Sequence, residues 1–460
     1  MAFSSILIPQ LSEPESDIQI DLSSSSNIAS IVVVSVAFGA LVCGSLMDTF
    51  GRVRLSTMIC VPFVVAWLLI ALSRNLFMIY TARILSGFCG GLTTVALVYV
   101  SEISSPEYRG MLLCLNSVAV SLGILITYLL NVYFKWRTIG YIFAVSALLT
   151  FFIVSRLPES PSWIVSMRKK RKNSDALASY EWIYRRHHLS SFYYHQLVDN
   201  EKLKRNHLES LEKKEEVKSI LKLSQESKVY KPLIILLFMF LFQQLSGCYI
   251  LIFYTINIFR NLSLNFTEKI NENMALMLLG TLRLIMSVIA SGASRKCHRK
   301  TLLYISGLGM MIFIFIAAIL VQNTDGSTQN FLSSQTSMNH TTINDDNGSY
   351  NEVYLLISIL CYNSFSALGV MILPWTLISE LYPIEVKGKM GGLTVAIAYV
   401  LMFSVVKVFP FFFNLYNIET MFYLFSASSL AFCAFVYRFL PETYGKSLID
   451  IQNYFVTVKQ

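Results

Sequence analysis

Eleven apolar runs, each about twenty residues long, dominate this sequence of 460 residues. A helix needs about 20 apolar residues to cross a hydrocarbon core of roughly 30 Å. In lipid a spanning segment must satisfy its own backbone hydrogen bonds, which a helix does and an irregular loop does not. The sequence therefore predicts an all-α polytopic membrane protein, with spans at 28–48, 56–73, 77–101, 111–133, 138–156, 232–257, 274–293, 301–321, 352–379, 390–413 and 420–440.

Two short motifs occur twice, once in each half of the chain. Glu102–Gly110 and Glu380–Gly388 both carry a basic residue and a glycine seven and eight positions after the glutamate. A Leu-Pro-Glu-Ser or Leu-Pro-Glu-Thr sequence follows each of them, at Leu157–Ser160 and Leu440–Thr443. Internal repeats in a membrane chain are typical of transporters built from two related halves, with the substrate path between the halves.

The two halves differ in their number of spans. The repeated motifs follow the third and fifth apolar runs in the first half, but the fourth and sixth runs in the second half. We therefore expect that one span is missing near the N-terminus. The predicted parts are 1–27 as the extracellular remnant of the exit of a first helix, 28–156 as an N-terminal bundle of five spans, 157–231 as a cytoplasmic helical linker, 232–440 as a C-terminal bundle of six spans and 441–460 as a cytoplasmic tail.

The distribution of basic residues predicts the orientation. Of 37 Lys and Arg residues, 29 fall in or beside loops of one parity, five fall in the other loops and three lie inside spans. The positive-inside rule places the basic loops and the C-terminus in the cytoplasm, and the N-terminus outside. The net charge of +9 thus reflects orientation, and we expect no nucleic-acid partner. Four glycosylation sequons agree with this, because all lie in the predicted outer loops 258–273 and 322–351: Asn261, Asn265, Asn339 and Asn347.

Motifs of soluble-type enzymes are missing from the sequence. It contains no helix-borne His/Glu pair, no Gly-rich phosphate loop and no nucleophile elbow. The six histidines all fall outside the predicted spans, and no cysteine lies in a predicted outer loop. We therefore predict no enzyme activity, no catalytic residue, no cofactor, no metal site and no structural disulfide.

Several segments, taken in chain order, form one recognisable pattern. They are Gly44–Arg54, Ala82–Gly91, Tyr99–Gly110, Pro158–Trp163, Gln243–Tyr254, Pro374–Glu380 and Pro441–Ser447. This pattern resembles the sugar-porter branch of the major facilitator superfamily, over essentially the whole chain. The sequence is most similar to insect facilitated trehalose transporters and their glucose-transporter relatives. Phe3–Leu11 resembles the family's exit from helix 1.

The resemblance implies a major facilitator fold of two six-helix bundles, here with helix 1 missing and eleven spans. It implies a facilitative, uncoupled carrier in the plasma membrane that works by alternating access, as a monomer in the lipid bilayer. The small-molecule partner implied is a sugar, either trehalose or a hexose such as glucose. The alternatives are a non-transporting relative, such as a sugar sensor or a decayed paralogue, and an incomplete sequence of an active carrier.

Charged residues at the cytoplasmic side are implied to form a gate that breaks in every cycle. The alternative is that these charges only fix the topology and solvate helix ends. The residues implied are Asp48, Arg52, Arg83, Glu102, Arg109 and Glu159 in the first half, and Glu380, Lys387 and Glu442 in the second. Arg295 stands where the family has an acid corresponding to Asp48, so we expect a weaker charged cluster in the second half.

The sugar site is implied to lie where helices 7 and 10 line the central cavity. Amide side chains suit paired sugar hydroxyls, and an aromatic ring suits the C–H face of a sugar. The substrate-binding residues implied are Gln243, Gln244, Trp375, Ser117, Tyr249 and Arg283. Tyr249 makes the site bulkier than in the family. Arg283 either faces the substrate, pairs with an acid, or serves only topology.

The predicted orientation can be tested by enzymatic deglycosylation of the protein expressed in animal cells. We expect the treated protein to migrate faster on a gel, because the four sequons face the lumen during synthesis. Replacing Asn339 and Asn347 with Gln should remove part of the shift. Unshifted protein, together with mapping of Asn339 to the cytoplasm, would overturn the orientation.

Overall fold

The computed structural model describes residues 2–13, 17–104, 109–167, 174–184, 191–192, 194–195, 197–199, 227–261, 272–334, 346–382, 387–443 and 454–455. Within these ranges the chain forms helices. The first-half helices are α1 (Ala2–Leu11), α2 (Leu22–Phe50), α3 (Arg52–Ala71), α4 (Leu76–Leu92), α5 (Thr94–Ile103), α6 (Arg109–Tyr133), α7 (Trp136–Val154), α8 (Pro161–Met167) and α9 (Ser174–Tyr184). The second-half helices are α10 (Ser227–Leu245), α11 (Ile250–Asn261), α12 (Glu272–Ala293), α13 (Arg299–Ser334), α14 (Asp346–Leu368), α15 (Leu373–Leu381), α16 (Lys387–Leu415) and α17 (Ile418–Phe439).

The predicted membrane fold is confirmed. Among the described residues, eleven helical segments are long and apolar enough to cross a membrane. Their bounds are Leu22–Phe50, Arg52–Ala71, Leu76–Ile103, Met111–Tyr133, Trp136–Val154, Val229–Thr255, Met274–Ala293, Arg299–Gln322, Val353–Ile378, Met390–Phe413 and Ile418–Phe439. Each overlaps one predicted span. Hydrophobic length is a local property of the chain, so the sequence alone could define these segments.

The start of the first span differs from its prediction by six residues. The Asp21 carboxylate accepts a hydrogen bond from the Ser24 backbone N–H (2.9 Å), so α2 begins at Leu22 instead of residue 28. This is an N-cap, which a hydropathy pattern does not register because the capped turn is polar. Hydrogen bonding from Ser24 lowers the pKa of Asp21.

The N-terminal segment forms a buried helix. Nine of the ten residues of α1 are buried, and α1 lies against α11 and α6. The Gln10 amide ties α1 to the first bundle, because its Nε2 donates to Asn131 Oδ1 (2.9 Å) and its Oε1 accepts from the Trp136 backbone N–H (3.0 Å). The sequence predicted only the exit of a helix here. A ten-residue helix containing Pro9 has too short an apolar pattern to be identified without its tertiary contacts.

Helices occur in the described parts of the predicted helical linker 157–231 and of the predicted outer loop 322–351. In 157–231, α8 and α9 pack together through Trp163, Ile164 and Ala176. In the predicted outer loop 322–351, α13 continues to Ser334 and α14 begins at Asp346. The side chains of the four predicted glycosylation sites lie outside the described part: Asn261, Asn265, Asn339 and Asn347.

Two spans of the second half are broken near their centres. Residues 246–249 separate α10 from α11, and residues 369–372 separate α14 from α15. Gly247 has a φ of +83°, a left-handed conformation that glycine adopts without strain. Broken helices are tolerated in a membrane only where neighbouring protein satisfies the freed backbone groups, and they commonly mark substrate sites.

The two halves of the chain meet along three helix pairs. These are α2 with α16, α6 with α12, and α1 with α11. At the end where α2 begins, the Ser26 hydroxyl donates to the Lys407 carbonyl oxygen (2.8 Å). At the opposite end, Ser291 Oγ of α12 donates to the Met111 carbonyl oxygen of α6 (3.4 Å). The halves are thus hydrogen-bonded to each other at both ends of their interface.

Gly247→Ala should destabilise the protein by about 1–2 kcal/mol, since an L-residue is strained in the left-handed region. A Cβ there would also lie 2.6 Å from the Phe425 ring. Gly392→Ala is the control, because its Cβ meets no atom within 4 Å. Thermal unfolding in detergent should show a lower midpoint for the first variant only. Equal midpoints would contradict the described break.

Candidate functional site

A charged cluster joins α2, α3 and α5 at one end of the first half. Arg52 is buried, and its guanidinium binds Glu102 through Nε (3.1 Å to each oxygen) and Nη2 (2.8 Å). Its Nη1 donates to Asp48 Oδ1 (3.3 Å) and to the Met47 carbonyl oxygen (3.1 Å). A guanidinium that binds several acceptors at fixed angles holds three helix ends together. We call this set of residues the first-half cluster: Asp48, Arg52, Glu102, Glu159 and Ser160.

Glu159 acts on a helix end within this cluster. Its Oε1 accepts hydrogen bonds from the backbone N–H groups of Arg52 (2.7 Å) and Val53 (3.0 Å), the first two residues of α3. A carboxylate is stabilised there because helix N-termini carry unpaired N–H groups and a partial positive charge. The Ser160 hydroxyl donates to Glu102 Oε2, which connects Glu159 to the Arg52 pair.

The second half repeats this arrangement. Arg299 Nη2 donates to Glu380 Oε1 (3.1 Å), and the Thr443 hydroxyl donates to Glu380 Oε2 (2.6 Å). Glu442 accepts from the backbone N–H groups of Arg299 (3.0 Å) and Lys300 (3.2 Å) at the start of α13. We call this set of residues the second-half cluster: Ser294, Arg299, Glu380, Glu442 and Thr443.

Sequence reasoning missed Arg299 as a member of this cluster. The register that sets Arg295 against Asp48 also sets Arg299 against Arg52, so the signal was present in the repeat. The missing acid is replaced by Ser294, whose carbonyl and hydroxyl oxygens accept from Arg299 Nη1 (2.8 and 2.7 Å). A weaker second-half cluster stays a prediction.

One predicted gate residue lies elsewhere. Arg83 is buried in α4, and its guanidinium carbon lies 5.0 Å from the centre of the Phe3 ring. It precedes Glu102 by 19 residues, about 28 Å of helix at 1.5 Å per residue, so it cannot reach the first-half cluster. The structure thus places Arg83 apart from the first-half cluster, and its part in a gate stays a prediction. The side chains of Arg109 and Lys387 lie outside the described part of the chain.

The two adjacent amides of α10 lie where the break between α10 and α11 meets the break between α14 and α15. Gln243 and Gln244 are both buried. Gln243 Nε2 donates to the Val370 carbonyl oxygen (2.6 Å), and Gln244 Nε2 donates to Gln243 Oε1 (3.4 Å). Gln244 Oε1 has no hydrogen-bond partner among the described residues. A buried acceptor without a donor is costly, and a bound hydroxyl would satisfy it.

Trp375 and Tyr249 lie together beside these amides. Trp375 Nε1 donates to the Tyr249 hydroxyl (3.2 Å). The Trp375 ring also contacts the rings of Phe240 (4.8 Å between centroids) and Tyr399 (5.3 Å). The structure therefore brings four predicted substrate residues to one region: Gln243, Gln244, Tyr249 and Trp375.

Arg283 connects this region to a cavity between the halves. It is buried in α12, and its Nη1 lies 3.3 Å from Met371 Sδ, next to the Val370 carbonyl bound by Gln243. The cavity is small, about 10 Å³, close to the space of one water molecule. It is lined by Ile124, Tyr128, Leu251, Ile252, Thr255, Leu279, Gly280, Arg283 and Asn363.

Ser117 is not among the residues that line the cavity. One turn later, the Ser121 hydroxyl lies 2.7 Å from the Ser287 hydroxyl across the interface of the halves. Sequence reasoning missed Asn363, a buried amide whose Nδ2 donates to the Leu279 carbonyl oxygen (3.3 Å). Its position inside an apolar span was the available signal.

Residues 9–455 match the family model described as "Sugar (and other) transporter". The chain belongs to this sugar transporter family. The predicted sugar-porter resemblance is therefore confirmed. Among similar proteins, the mouse solute carrier family 2 facilitated glucose transporter member 6 is 28% identical, over 99% of this chain and 88% of the relative. The facilitated trehalose transporter Tret1 of Polypedilum vanderplanki is also 28% identical, over 90% of this chain and 76% of the relative.

Solved structures show the same fold for this sugar transporter. The major facilitator superfamily proton:xylose symporter XylE, bound to 6-bromo-6-deoxy-D-glucose, superposes with a TM-score of 0.72. It is 19% identical, and the match covers 99% of this chain and 93% of XylE. The inward-open xylose transporter XylE from E. coli matches with a TM-score of 0.71, at 19% identity over 98% of this chain and 95% of XylE.

Arg299→Gln should lower stability by about 2 kcal/mol, because it removes the charged partner of Glu380 and the guanidinium that donates to Ser294. The loss is smaller than the ~3–5 kcal/mol of a fully buried pair, since Glu380 is partly exposed. Lys296→Gln, an exposed change in the same loop, is the control. Thermal unfolding in detergent measures both. Arg52→Gln should cost more than Arg299→Gln if the second-half cluster is the weaker one, and no loss for Arg299→Gln would contradict the pairing.

Proposed function

We propose that this protein carries a sugar, trehalose or a hexose such as glucose, across the plasma membrane by facilitated transport. The proposal rests on one observation: the two broken spans, interrupted at 246–249 and 369–372, meet at the interface of the halves. Buried amides and an indole lie at this point, in a protein of the sugar transporter family. Substrate sites of transporters lie near the membrane midplane at discontinuous helices.

The chemistry of the region suits a polyhydroxylated ligand. An amide side chain offers a donor and an acceptor to neighbouring hydroxyl groups, and an aromatic ring offers a face to sugar C–H bonds. Gln244 Oε1 is a buried acceptor without a partner in the described part of the chain. Gln243 now binds the Val370 carbonyl, so a sugar that uses Gln243 must compete with that bond.

Uncoupled transport is supported by the distribution of acids. No Asp or Glu lies in the interior of any of the eleven spans, so those spans offer no buried carboxylate to carry a proton. The similarity to the symporter XylE, at 19% identity, concerns the fold. The names of both relatives given above contain the word "facilitated".

Alternating access is supported by the two ends of the interface. A cavity with room for one water admits no sugar, so the halves must separate at one end. We propose that the end with the two charged clusters faces the cytoplasm and that the N-terminus lies outside, as a monomer. In the second half, Ser294 Oγ accepts from Cys114 Sγ of the first half (3.6 Å), so opening at this end separates these two side chains.

The Gln243→Ala variant tests the site. It should raise the apparent Kd for trehalose or glucose, measured from their thermal stabilisation of the protein, about tenfold. This corresponds to about 1.4 kcal/mol of binding free energy for the lost hydrogen bonds. Gln10→Ala is the matched control, because this amide also makes two hydrogen bonds but lies in α1. The control should lower the thermal midpoint without changing the sugar response.

Uptake into proteoliposomes separates the possible outcomes. Sugar-dependent stabilisation together with uptake supports the carrier. Stabilisation without uptake would indicate a sugar sensor. An equal sugar response in the Gln243→Ala and Gln10→Ala variants would remove Gln243 from the site.

A further inference from the structure

Arg283 is a buried cation at the centre of a membrane span. It lies nine residues after Met274 and ten before Ala293, which bound the span, and is 7% exposed. The polar contact described for its guanidinium is with Met371 Sδ, 3.3 Å from Nη1, and a thioether is a weak acceptor. Arg283 Nε has no hydrogen-bond partner among the described residues.

No residue of the eleven spans can neutralise this charge. The acids within the spans are Asp48, Glu102 and Glu419, and all three lie in the end turns. Asp48 and Glu102 are already bound to Arg52 in the first-half cluster. Glu419 lies at the start of α17. An arginine cannot give up its proton at physiological pH, so Arg283 stays charged.

Among the described residues that line the cavity, the groups around Arg283 can form hydrogen bonds but carry no negative charge. Tyr128, Thr255 and Asn363 line the same cavity, and each is uncharged. A buried charge without a partner is costly, and ionisable residues inside a membrane usually mark a substrate path. The negative charge that neutralises Arg283 must therefore come from outside the spans.

We propose that this cavity, once the halves separate and widen it, binds an anionic sugar, a sugar acid of the hexuronate class whose carboxylate pairs with Arg283. The carboxylate accepts hydrogen bonds from the guanidinium, and the sugar hydroxyls meet Gln243 and Gln244. This inference rests on the proposed sugar site and adds a sugar acid to the neutral sugars proposed for it. A single carboxylate balances the single positive charge. A phosphate monoester, with a charge of about −1.5 to −2 at pH 7, would leave a buried excess of negative charge.

Arg83 provides a matched control within the same chain. It too is buried within a span, and its Nε and Nη2 have no hydrogen-bond partner in the described residues. It differs from Arg283 because its guanidinium lies over the Phe3 ring, and it does not line the cavity. A buried cation over an aromatic face is partly stabilised by the ring.

The first test compares three ligands on the unchanged protein, by thermal shift in detergent and by competition for uptake. The ligands are glucuronate, glucuronamide and glucose. Glucuronamide has nearly the shape of glucuronate but no charge. We expect glucuronate to bind at least tenfold more tightly than glucuronamide. Equal binding of the two would overturn the inference without any variant being needed.

The second test uses charge-removing variants. Arg283→Gln should abolish the preference for glucuronate over glucose, while Arg83→Gln should keep it. A preference that survives Arg283→Gln would overturn the inference, and so would its loss in both variants. Acetate measures carboxylate binding alone: stabilisation by acetate equal to that by glucuronate would show a general anion site and overturn the sugar acid.

The failure of this inference can be distinguished from failure of the proposed function. Stabilisation by glucose, without a preference for glucuronate over glucuronamide, overturns the inference alone. No stabilisation and no uptake with any sugar, charged or neutral, overturns both.

Discussion

One constraint governs this structure: every backbone N–H and C=O group within a bilayer must form its hydrogen bond inside the protein. Continuous helices meet this need by themselves, but the breaks at 246–249 and 369–372 do not. Side chains of neighbouring helices satisfy the freed groups there. Gln243 donates to the Val370 carbonyl, Ser306 Oγ accepts from the Val370 N–H (2.9 Å), and the Tyr362 hydroxyl donates to the Ser246 carbonyl (2.5 Å). The polar residues of the site are therefore also structural, and a ligand must exchange with bonds that the protein makes for itself.

Each charged cluster combines an arginine pair with the N-terminus of a helix. Glu159 and Glu442 bind the backbone at the starts of α3 and α13, while Arg52 and Arg299 bind the glutamates that end α5 and α15. The two halves share this geometry although one uses Asp48 and the other Ser294. What is repeated between the halves is therefore the position of the arginine between a glutamate and the preceding helix end.

Some features could be predicted from the sequence and others could not. The spans were predictable because hydrophobic length is local, and Glu102, Glu159, Glu380 and Glu442 were predictable because the repeats mark them. The position of Arg83 over the Phe3 ring could not be predicted, because the motif that contains it does not say which helix end it reaches. Arg299 was missed because Arg295 replaces the acid that marks this repeat, although Arg299 keeps the spacing that Arg52 has from Asp48.

The sequence by itself determined the eleven spans, the duplication of the motifs and the exclusion of acids from the membrane interior, since each follows from residue type and spacing along one chain. Only the tertiary structure decided that residues Ala2–Leu11 form a buried helix and that Gln243 and Arg283 lie beside consecutive residues of one helix break. It also decided that the other described residues lining the cavity at Arg283 are all uncharged. These features depend on contacts between residues more than 80 positions apart, and hydrophobic patterning carries no information about which distant side chains will meet.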